Sequence, residues 1–406
     1  MTKTEIVDAA FKVWGRNLYR KTSLSQLASE LKVSKPALYR HFINKQALTA
    51  AMTERFLDDF SSSIKADFES AMTQEDADTG ISSIIGSISG FFARNVYALI
   101  FSLINIYERN LDKHTISQQL KSRGTDLAAL QHIVNKKYTG DPSIVRLIFA
   151  TLTFLMSNYH KTNNTKNMEN PISDQEIQKI KTTIYNTIKH GLGYPAQRTA
   201  LDFDKLEQQI NQTTPNFEPE PFFKAVAEAV AEAGPWDVSM DMVAKKLGLS
   251  KSSLYGHCKN KQDMLRRLFV TEFKRIIDFA RKGISLSDDS AEQLYLGLFS
   301  IAVYLRSRPE ILVAMDWIRT RKLDLGKPEK QHEIFRLFED VNIEPLQNAT
   351  EEEKQRTSHW ILFLLINILT HPIIDDGISK PELQMQNKNI RILYKFITLG
   401  LGGFKQ

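Results

Sequence analysis

The sequence predicts an all-α protein built from two tandem copies of one helical module. First, the segment 34–46 returns 216 positions later as 250–262, with eight of its thirteen residues identical. Second, apolar residues recur at three- and four-residue spacings along most of the chain, which is typical of amphipathic helices. Third, no useful length of sequence alternates with the two-residue period of a half-buried strand.

The spacing of the repeat predicts the domain organisation. An offset of about half of the 406 residues is far longer than the roughly 20–50 residues of a solenoid repeat, so it indicates duplication of a whole domain. The segment between the copies carries Pro195, Pro215 and Pro219, which favours a flexible linker with one short helix near 202–212. The predicted divisions are a head at 1–45, a helical region at 46–192, a linker at 193–220, a second head at 221–261 and a second helical region at 262–406.

The repeated segment has the pattern of two short helices joined by a turn. Apolar residues at positions 24, 27, 28 and 31 share one face of a helix, and Ser23 precedes it as an N-cap, as Ser239 does in the second copy. Ser34 and Ser250 then cap a second helix, expected over about 35–42 and 251–258. A short turn between two such helices defines a helix-turn-helix.

This pattern resembles the DNA-binding head of the TetR (tetracycline-repressor) family of transcription regulators. In the first copy it is carried by Thr22, Ser23, Leu24, Leu27, Ala28, Leu31, Val33, Ser34, Leu38, Tyr39, His41, Phe42 and Lys45. In the second copy it is carried by Ser239, Met240, Val243, Ala244, Leu247, Gly248, Leu249, Ser250, Leu254, Tyr255, His257 and Lys261. The resemblance implies two tandem TetR-like modules, each with a three-helix head and a C-terminal helical region for ligand binding and dimerisation.

The two copies depart from the pattern in different places. Leu18 and Lys32 stand where the second copy has Gly234 and Gly248, so Lys32 is expected to adopt a positive φ. In the second copy, Gly256 and Cys258 replace Arg40 and Phe42, which makes its recognition helix smaller and less basic. Leu38, Phe42, Leu254 and Cys258 are expected to face inward.

The resemblance implies that the partner is double-stranded DNA. In a helix-turn-helix the start of the second helix meets base edges while flanking groups hold phosphates. The expected contacts in the first head are Thr22, Ser23, Lys35, Pro36, Ala37, Tyr39, Arg40, His41 and Lys45. Those in the second head are Ser239, Lys251, Ser252, Ser253, Tyr255, His257 and Lys261.

The resemblance also assigns roles to the remaining helices. The last two helices of each copy, near 142–191 and 350–400, would pair within one chain as an intramolecular pseudo-dimer, and the protein would be monomeric. The middle helices, near 80–140 and 288–341, would hold a small apolar or amphipathic effector. Their aromatic and apolar candidates are Phe91, Phe92, Tyr97, Phe101 and Tyr107, and Tyr295, Phe299, Tyr304, Met315 and Trp317, all of which also suit a plain core.

Charge and composition fit this interpretation. The net charge is +6, and positions 1–50 hold nine basic against three acidic residues, as a phosphate backbone requires. A single cysteine and the lack of a secretory signal indicate a cytoplasmic protein. The most apolar run, 360–369, is too short to span a membrane.

No pattern in the sequence supports an enzyme. The chain has no nucleophile elbow, phosphate-binding glycine loop or zinc-protease motif, so no catalytic residue, cofactor or metal ligand is expected. The predicted function is a sequence-specific, ligand-responsive repressor that reads an operator with two unlike half-sites. The alternative is a small-molecule sensor or interaction protein in which one or both heads no longer bind DNA.

Overall fold

The structure is a computed structural model that describes residues 2–16, 23–107, 113–139, 141–163, 172–215, 217–320, 337–339, 341, 343–375 and 383–406. Within these ranges the regular elements are α-helices and short 3-10 helices. The nearest feature to a sheet in them is one isolated antiparallel bridge between Tyr138 and Lys405. The all-α prediction is therefore confirmed.

Ten helices described in the first copy follow the predicted layout. They are α1 (Lys3–Arg16), α2 (Leu24–Glu30), α3 (Lys35–His41), α4 (Lys45–Thr73), α5 (Ala77–Arg94), α6 (Val96–Tyr107), α7 (Lys113–Ser122), α8 (Ala128–Asn135), α9 (Pro142–Asn163) and α10 (Asp174–His190). Helices α7 and α8 are separated at Gly124, which adopts a φ of 87°. After α10 come a 3-10 turn, Ala196–Thr199, and helix α11, Phe203–Thr213.

The helices described in the second copy follow the same order, without described counterparts of α7 and α8. They are α12 (Pro221–Asp237), α13 (Met240–Leu247), α14 (Lys251–Leu254), α15 (Lys261–Ile284), α16 (Ser290–Ser307), α17 (Pro309–Thr320), α18 (Glu351–Asp375) and α19 (Leu383–Leu399). Three 3-10 segments, Leu337–Glu339, Glu344–Leu346 and Gly400–Phe404, lie beside them. Within the middle helices predicted near 288–341, residues 321–336 lie outside the described residues, as does Leu18 in the first head. Gly234 adopts a φ of 76° where two helical segments meet within α12.

The chain forms two compact units. The first comprises Met1–Val145, Leu152–Asn186 and Lys405–Gln406, and the second comprises Arg146–Thr151 and Thr187–Phe404. These bounds differ from the predicted divisions at three places. The second unit begins at Thr187, before the predicted end of the first helical region at 192, and includes the predicted linker. A six-residue stretch of α9 belongs to the second unit, and the last two residues of the chain belong to the first.

Phenylalanines form the centre of the first unit. The rings of Phe56 and Phe60 on α4 meet those of Phe91 and Phe92 on α5, with centroids 5.2–6.4 Å apart. Phe101 on α6 is fully buried and lies 5.8 Å from Phe56. Edge-to-face and tilted contacts of this kind add modestly to the stabilisation that burial itself provides.

The second unit buries carboxylates where the first buries rings. Tyr304 on α16 donates a 2.5 Å hydrogen bond to Glu272 on α15, and Arg308 donates to the same carboxylate at 3.3 Å. Glu272 has no exposed surface and Arg308 only 3%. Burial, together with the adjacent carboxylate, raises the pKa of Tyr304. A buried charge is tolerated because it is paired and hydrogen-bonded in this way.

The segment predicted as a flexible linker is ordered and packed in the second unit. Leu206 and Ile210 on α11 are buried, and Glu207 accepts hydrogen bonds from Tyr295 at 2.5 Å and from Arg391 at 2.7 Å. Upstream of α11, Arg198 forms ion pairs with Asp289 and Glu344. The short helix expected over 202–212 is confirmed, but the expectation of a flexible coil around it is wrong. Its amphipathic sequence gains more by burying one face than it loses in chain entropy.

Two glycines mark a close approach of backbones in the second unit. Gly191 follows α10 and Gly400 follows α19, with φ of 57° and 58°. A Cβ at Gly191 would lie 2.4 Å from the carbonyl oxygen of Ile397, and one at Gly400 would lie 2.5 Å from that of Ile188. The amide of Leu192 donates a 2.8 Å hydrogen bond to Ile397. Both positions therefore require glycine, for conformation and for space.

No single helix in the described ranges is long and apolar enough to cross a membrane, although α5 and the start of α6, bent by 105°, reach that length and composition as a pair.

Candidate nucleic-acid interface

Helix α2 is the first of the two helices in the helix-turn-helix of the first head. Ser23 Oγ accepts from the amide of Gln26 at 3.2 Å, and Gln26 Oε1 accepts from the amide of Ser23 at 2.7 Å, which completes a capping box. Of the predicted apolar face, Leu24, Leu27 and Ala28 are buried and Leu31 is half-buried. The hydroxyl of Ser23 is thus engaged in starting the helix.

The turn after α2 has the conformation that the sequence predicted. Lys32 adopts a φ of 54°, and the amide of Val33 reaches back 3.0 Å to the carbonyl of Ala28. In the second head Gly248 has a φ of 65°, and the amide of Leu249 reaches back 2.9 Å in the same way. Both heads close the helix with the same left-handed cap, and the first does so with a lysine.

Helix α3 is held to the first head by two inward side chains. Leu38 is fully buried and Phe42 is 2% exposed, as predicted. Ser34 caps the helix by accepting from the amide of Ala37 at 3.3 Å. Because successive helical residues turn by about 100°, burial of Leu38 directs the neighbouring side chains outward.

The outward face of α3 holds most of the DNA-contact candidates of the first head. Tyr39 is 44% exposed, unusual for so large an aromatic side chain. Lys45, at the start of α4, is exposed and places its ammonium 5.1 Å from the ring centre of Trp14. Thr22 lies outside the described residues. Ala37 is half-buried, and the remaining exposed candidates are Lys35, Pro36, Arg40 and His41.

The second head has the same internal support. Ser239 caps α13 by accepting from the amide of Met242 at 3.2 Å, and Ser250 caps α14. Leu254 is fully buried and Cys258 is 2% exposed, which confirms that both face inward. Burial raises the pKa of the Cys258 thiol, which disfavours the reactive thiolate.

The recognition helix of the second head is shorter than predicted. Helix α14 ends at Leu254 rather than near 258, whereas α3 runs on to His41. After Leu254 the backbone hydrogen bonds span three residues instead of four. The amide of Gly256 donates to the carbonyl of Ser253 at 3.1 Å, and the amide of His257 donates to that of Leu254 at 2.9 Å. Gly256 stands where the first head has Arg40, and glycine is a weak helix former. The seven residues after Ser250 therefore differ in backbone conformation from the seven residues after Ser34 in the first head.

The outward candidates of the second head are nevertheless exposed. Tyr255 is 49% exposed. The ring of His257 stacks on Phe222 of α12, with centroids 5.4 Å apart, and its carbonyl accepts from Arg267 at 2.7 Å. Ser239 and Lys261 are half-buried, and the other exposed candidates are Lys251, Ser252 and Ser253.

Sequence reasoning missed one acidic residue at this surface. Asp241 on α13 forms a 2.9 Å ion pair with Lys251, the first residue of α14. The hydrogen bond that Lys251 Nζ donates to this carboxylate raises the pKa of Lys251. Aligning the copies at their offset of 216 sets Ser25 opposite Asp241 and would have revealed the difference.

The two heads differ in charge as well as in shape. Positions 1–45 hold nine basic and three acidic residues, while 221–261 hold six and four. Both are cationic, outward-facing helix-turn-helix surfaces, which suit a polyanion. Among the described residues no three His, Cys, Asp or Glu side chains lie together as a metal site would require.

Comparison with known proteins agrees with this geometry. The model of the family described as bacterial regulatory proteins, tetR family, matches residues 6–52 and again residues 223–268. A curated relative is the HTH-type transcriptional repressor ComR of Escherichia coli (strain K12), 26% identical over 118 residues. That alignment covers 29% of this chain and 55% of the relative, so the match spans about half of the relative's length.

The lysine in the first turn yields a test of strain. Because a left-handed conformation costs a residue with a Cβ about 1–2 kcal/mol, Lys32→Gly should stabilise the first head by roughly 1 kcal/mol. Urea-induced unfolding followed by circular dichroism measures the change. Lys32→Ala keeps the Cβ and should gain little, while Gly248→Ala should destabilise the second head. An unchanged midpoint for Lys32→Gly would show that the turn carries no strain.

Proposed function

From the premise that the chain carries two tetR-family DNA-binding domains in tandem, we propose that it is a ligand-responsive transcriptional repressor whose two heads bind one operator. DNA-binding regulation is what its family does. The finer proposal concerns how two unequal modules in one polypeptide divide that task.

The observation that carries the proposal is the face shared by both heads. In each, a buried leucine anchors the recognition helix while a tyrosine, Tyr39 or Tyr255, stands 44% or 49% exposed. A histidine and a lysine accompany each tyrosine: His41 and Lys45, or His257 and Lys261. Exposed hydroxyl and imidazole groups, with an exposed lysine in the first head and a half-buried one in the second, are suited to phosphate oxygens. The packing of the heads gives no other reason for two exposed tyrosines.

The two heads would read different half-sites. The first turn of α3 presents Pro36 and Ala37, and Arg40 follows on the exposed face. In α14 the corresponding positions are Ser252 and Ser253, which offer hydroxyl groups. Arginine recognises a guanine edge by two hydrogen bonds, whereas serine accepts several bases. An operator for this chain would therefore lack the dyad symmetry that a homodimer imposes.

Helices α9 and α18 support pairing within one chain. In the second unit, the indole N–H of Trp360 on α18 donates a 3.1 Å hydrogen bond to Thr151 on α9, and both residues are buried. Leu365 on α18 is also fully buried. A pseudo-dimer formed by the terminal helices of both copies would account for this burial without a second chain.

The effector would bind among the middle helices of the first copy. The rings of Phe91 and Phe92 on α5 pack against those of Phe56 and Phe60 on α4, and an aromatic lining of this kind suits a small apolar or amphipathic molecule. The side chains of Tyr107 and Trp317 lie outside the described residues. In the second copy, Tyr295 and Tyr304 donate hydrogen bonds to the buried carboxylates of Glu207 and Glu272, so that interior is less suited to an apolar molecule.

A second candidate is a sensor in which the second head has lost DNA binding. The short α14 and the pairing of Lys251 with Asp241 favour it. The two candidates differ in whether the second head contributes to the salt dependence of binding, which the first of the following experiments measures.

Substitution of the exposed pair in each head tests DNA binding. Tyr39→Ala with Lys45→Ala should weaken binding to every duplex and lower the slope of log affinity against log salt by about one, because phosphate contacts carry no sequence information. The same change at Tyr255 and Lys261 should act in the same direction. Fluorescence anisotropy across a salt series measures both.

Lys395→Ala is the matched control, because it removes an exposed lysine of α19 far along the chain from either head and should leave affinity unchanged. If the Tyr255 and Lys261 variant binds like the unmodified protein, the sensor interpretation of the second head is correct.

Selection from a random-sequence library tests the unlike half-sites. Recovered duplexes should contain two dissimilar motifs about one helical turn or somewhat more apart. Arg40→Gly, which copies the residue of the second head, should relax specificity in one motif only. Recovery of a perfect palindrome would mean that two chains each contribute the same head.

Sedimentation equilibrium at micromolar concentration tests the pseudo-dimer. The expected species is a monomer of 46.5 kDa that binds one chain per operator. Leu365→Lys should open or unfold it, because an unpaired ammonium would be buried. Lys395→Leu is the control for helix α19 and should leave the mass unchanged. A stable species of twice the chain mass would contradict the proposal.

A further inference from the structure

The second head carries an internal counter-ion for its own recognition helix. Lys251 is the first residue of α14, and its ammonium lies 2.9 Å from the carboxylate of Asp241, in the first turn of α13. Both side chains are more than half exposed, at 52% and 65%. An ion pair with this exposure contributes little to the stability of a fold. Its position at the start of the recognition helix is therefore better explained by its effect on what that helix binds.

The first head lacks this arrangement. Its equivalent lysine, Lys35, is also the first residue of a capped recognition helix, and the equivalent of Asp241 is Ser25. Helix α2 has no acidic residue in its first turn, and the described ion pairs include none for Lys35. The two lysines thus share a place in the motif but differ in their electrostatic surroundings.

We propose that Asp241 is a specificity-determining residue. By pairing with Lys251, it lowers the affinity of the second head for the phosphate backbone. This inference rests on the proposed function. The first head, with nine basic and three acidic residues, supplies most of the sequence-independent affinity. The second head binds DNA with its full affinity only at sites where contacts to the bases offset the loss of the Lys251–Asp241 ion pair. Non-specific binding by the second head is thereby suppressed relative to binding at its own half-site.

The physical basis is competition between two anions for one ammonium. A phosphate approaching Lys251 must displace the carboxylate or share the cation with it, and in either case one fewer net charge is available for counterion release. A carboxylate close to the incoming phosphate also repels it directly. The first effect depends on Lys251 and the second does not, so the two can be separated by substitution.

The test exchanges Asp241 of the second head and Ser25 of the first head. Binding of the full chain to a random-sequence duplex is measured by fluorescence anisotropy across a salt series. Asp241→Ser should raise affinity about three- to tenfold near 0.1 M salt and steepen the log–log salt slope by about 0.9. Ser25→Asp should lower affinity by a similar factor. Glu232→Gln, which removes a carboxylate paired with Lys246 on another helix of the same head, should change affinity less than about twofold.

The double variant Asp241→Ser with Lys251→Ala decides the cause. Its gain over Lys251→Ala alone should be clearly smaller than the gain of Asp241→Ser over the unmodified protein, because the larger part of that gain requires the released ammonium. An equal gain with and without Lys251, or no gain from Asp241→Ser, would overturn the inference while leaving DNA binding by the chain intact. If neither the unmodified protein nor any variant binds duplex DNA in a salt-dependent way, the proposed function itself fails.

Discussion

Burial of one leucine in each head, Leu38 in the first and Leu254 in the second, is the constraint on which the exposed surface depends. Both side chains have no exposed area. Each anchors a short recognition helix that could not persist alone in water, since helices of this length are marginal without packing. Once the leucine is inside, helical geometry sets Tyr39 or Tyr255 on the outside. The outward chemistry of each head is thus a consequence of its core.

The two copies share an arrangement of helices but differ in the side chains buried between them. Phe56 on α4 and Phe91 on α5 meet edge to face at 6.4 Å. At the corresponding positions of α15 and α16, Glu272 and Tyr304 share a 2.5 Å hydrogen bond, and Arg308 joins them. The first interior is held by packing between aromatic rings, while the second would lose paired charges if it opened. The two interiors are therefore stabilised by different interactions.

The segment between the copies is a structural element in its own right. Helix α11 buries Leu206 and Ile210 and places Glu207 within hydrogen-bonding distance of Tyr295. Arg198 binds Asp289, the N-cap of α16. Because this segment is held by both apolar burial and ion pairs, it does not act as a flexible linker. Its conformational entropy has already been lost in the folded second unit, so its length alone does not describe how it joins the copies.

The sequence by itself determined the all-α class, the two heads, the capping role of Ser23 and the positive φ of Lys32, because these follow from periodicity and from spacings of a few residues. It also identified which side chains of each recognition helix face inward. Only the tertiary structure decided that Asp241 pairs with Lys251 and that Glu207 is buried against Tyr295. Those outcomes depend on side chains brought together from separate helices, and a local pattern carries no information about such distances.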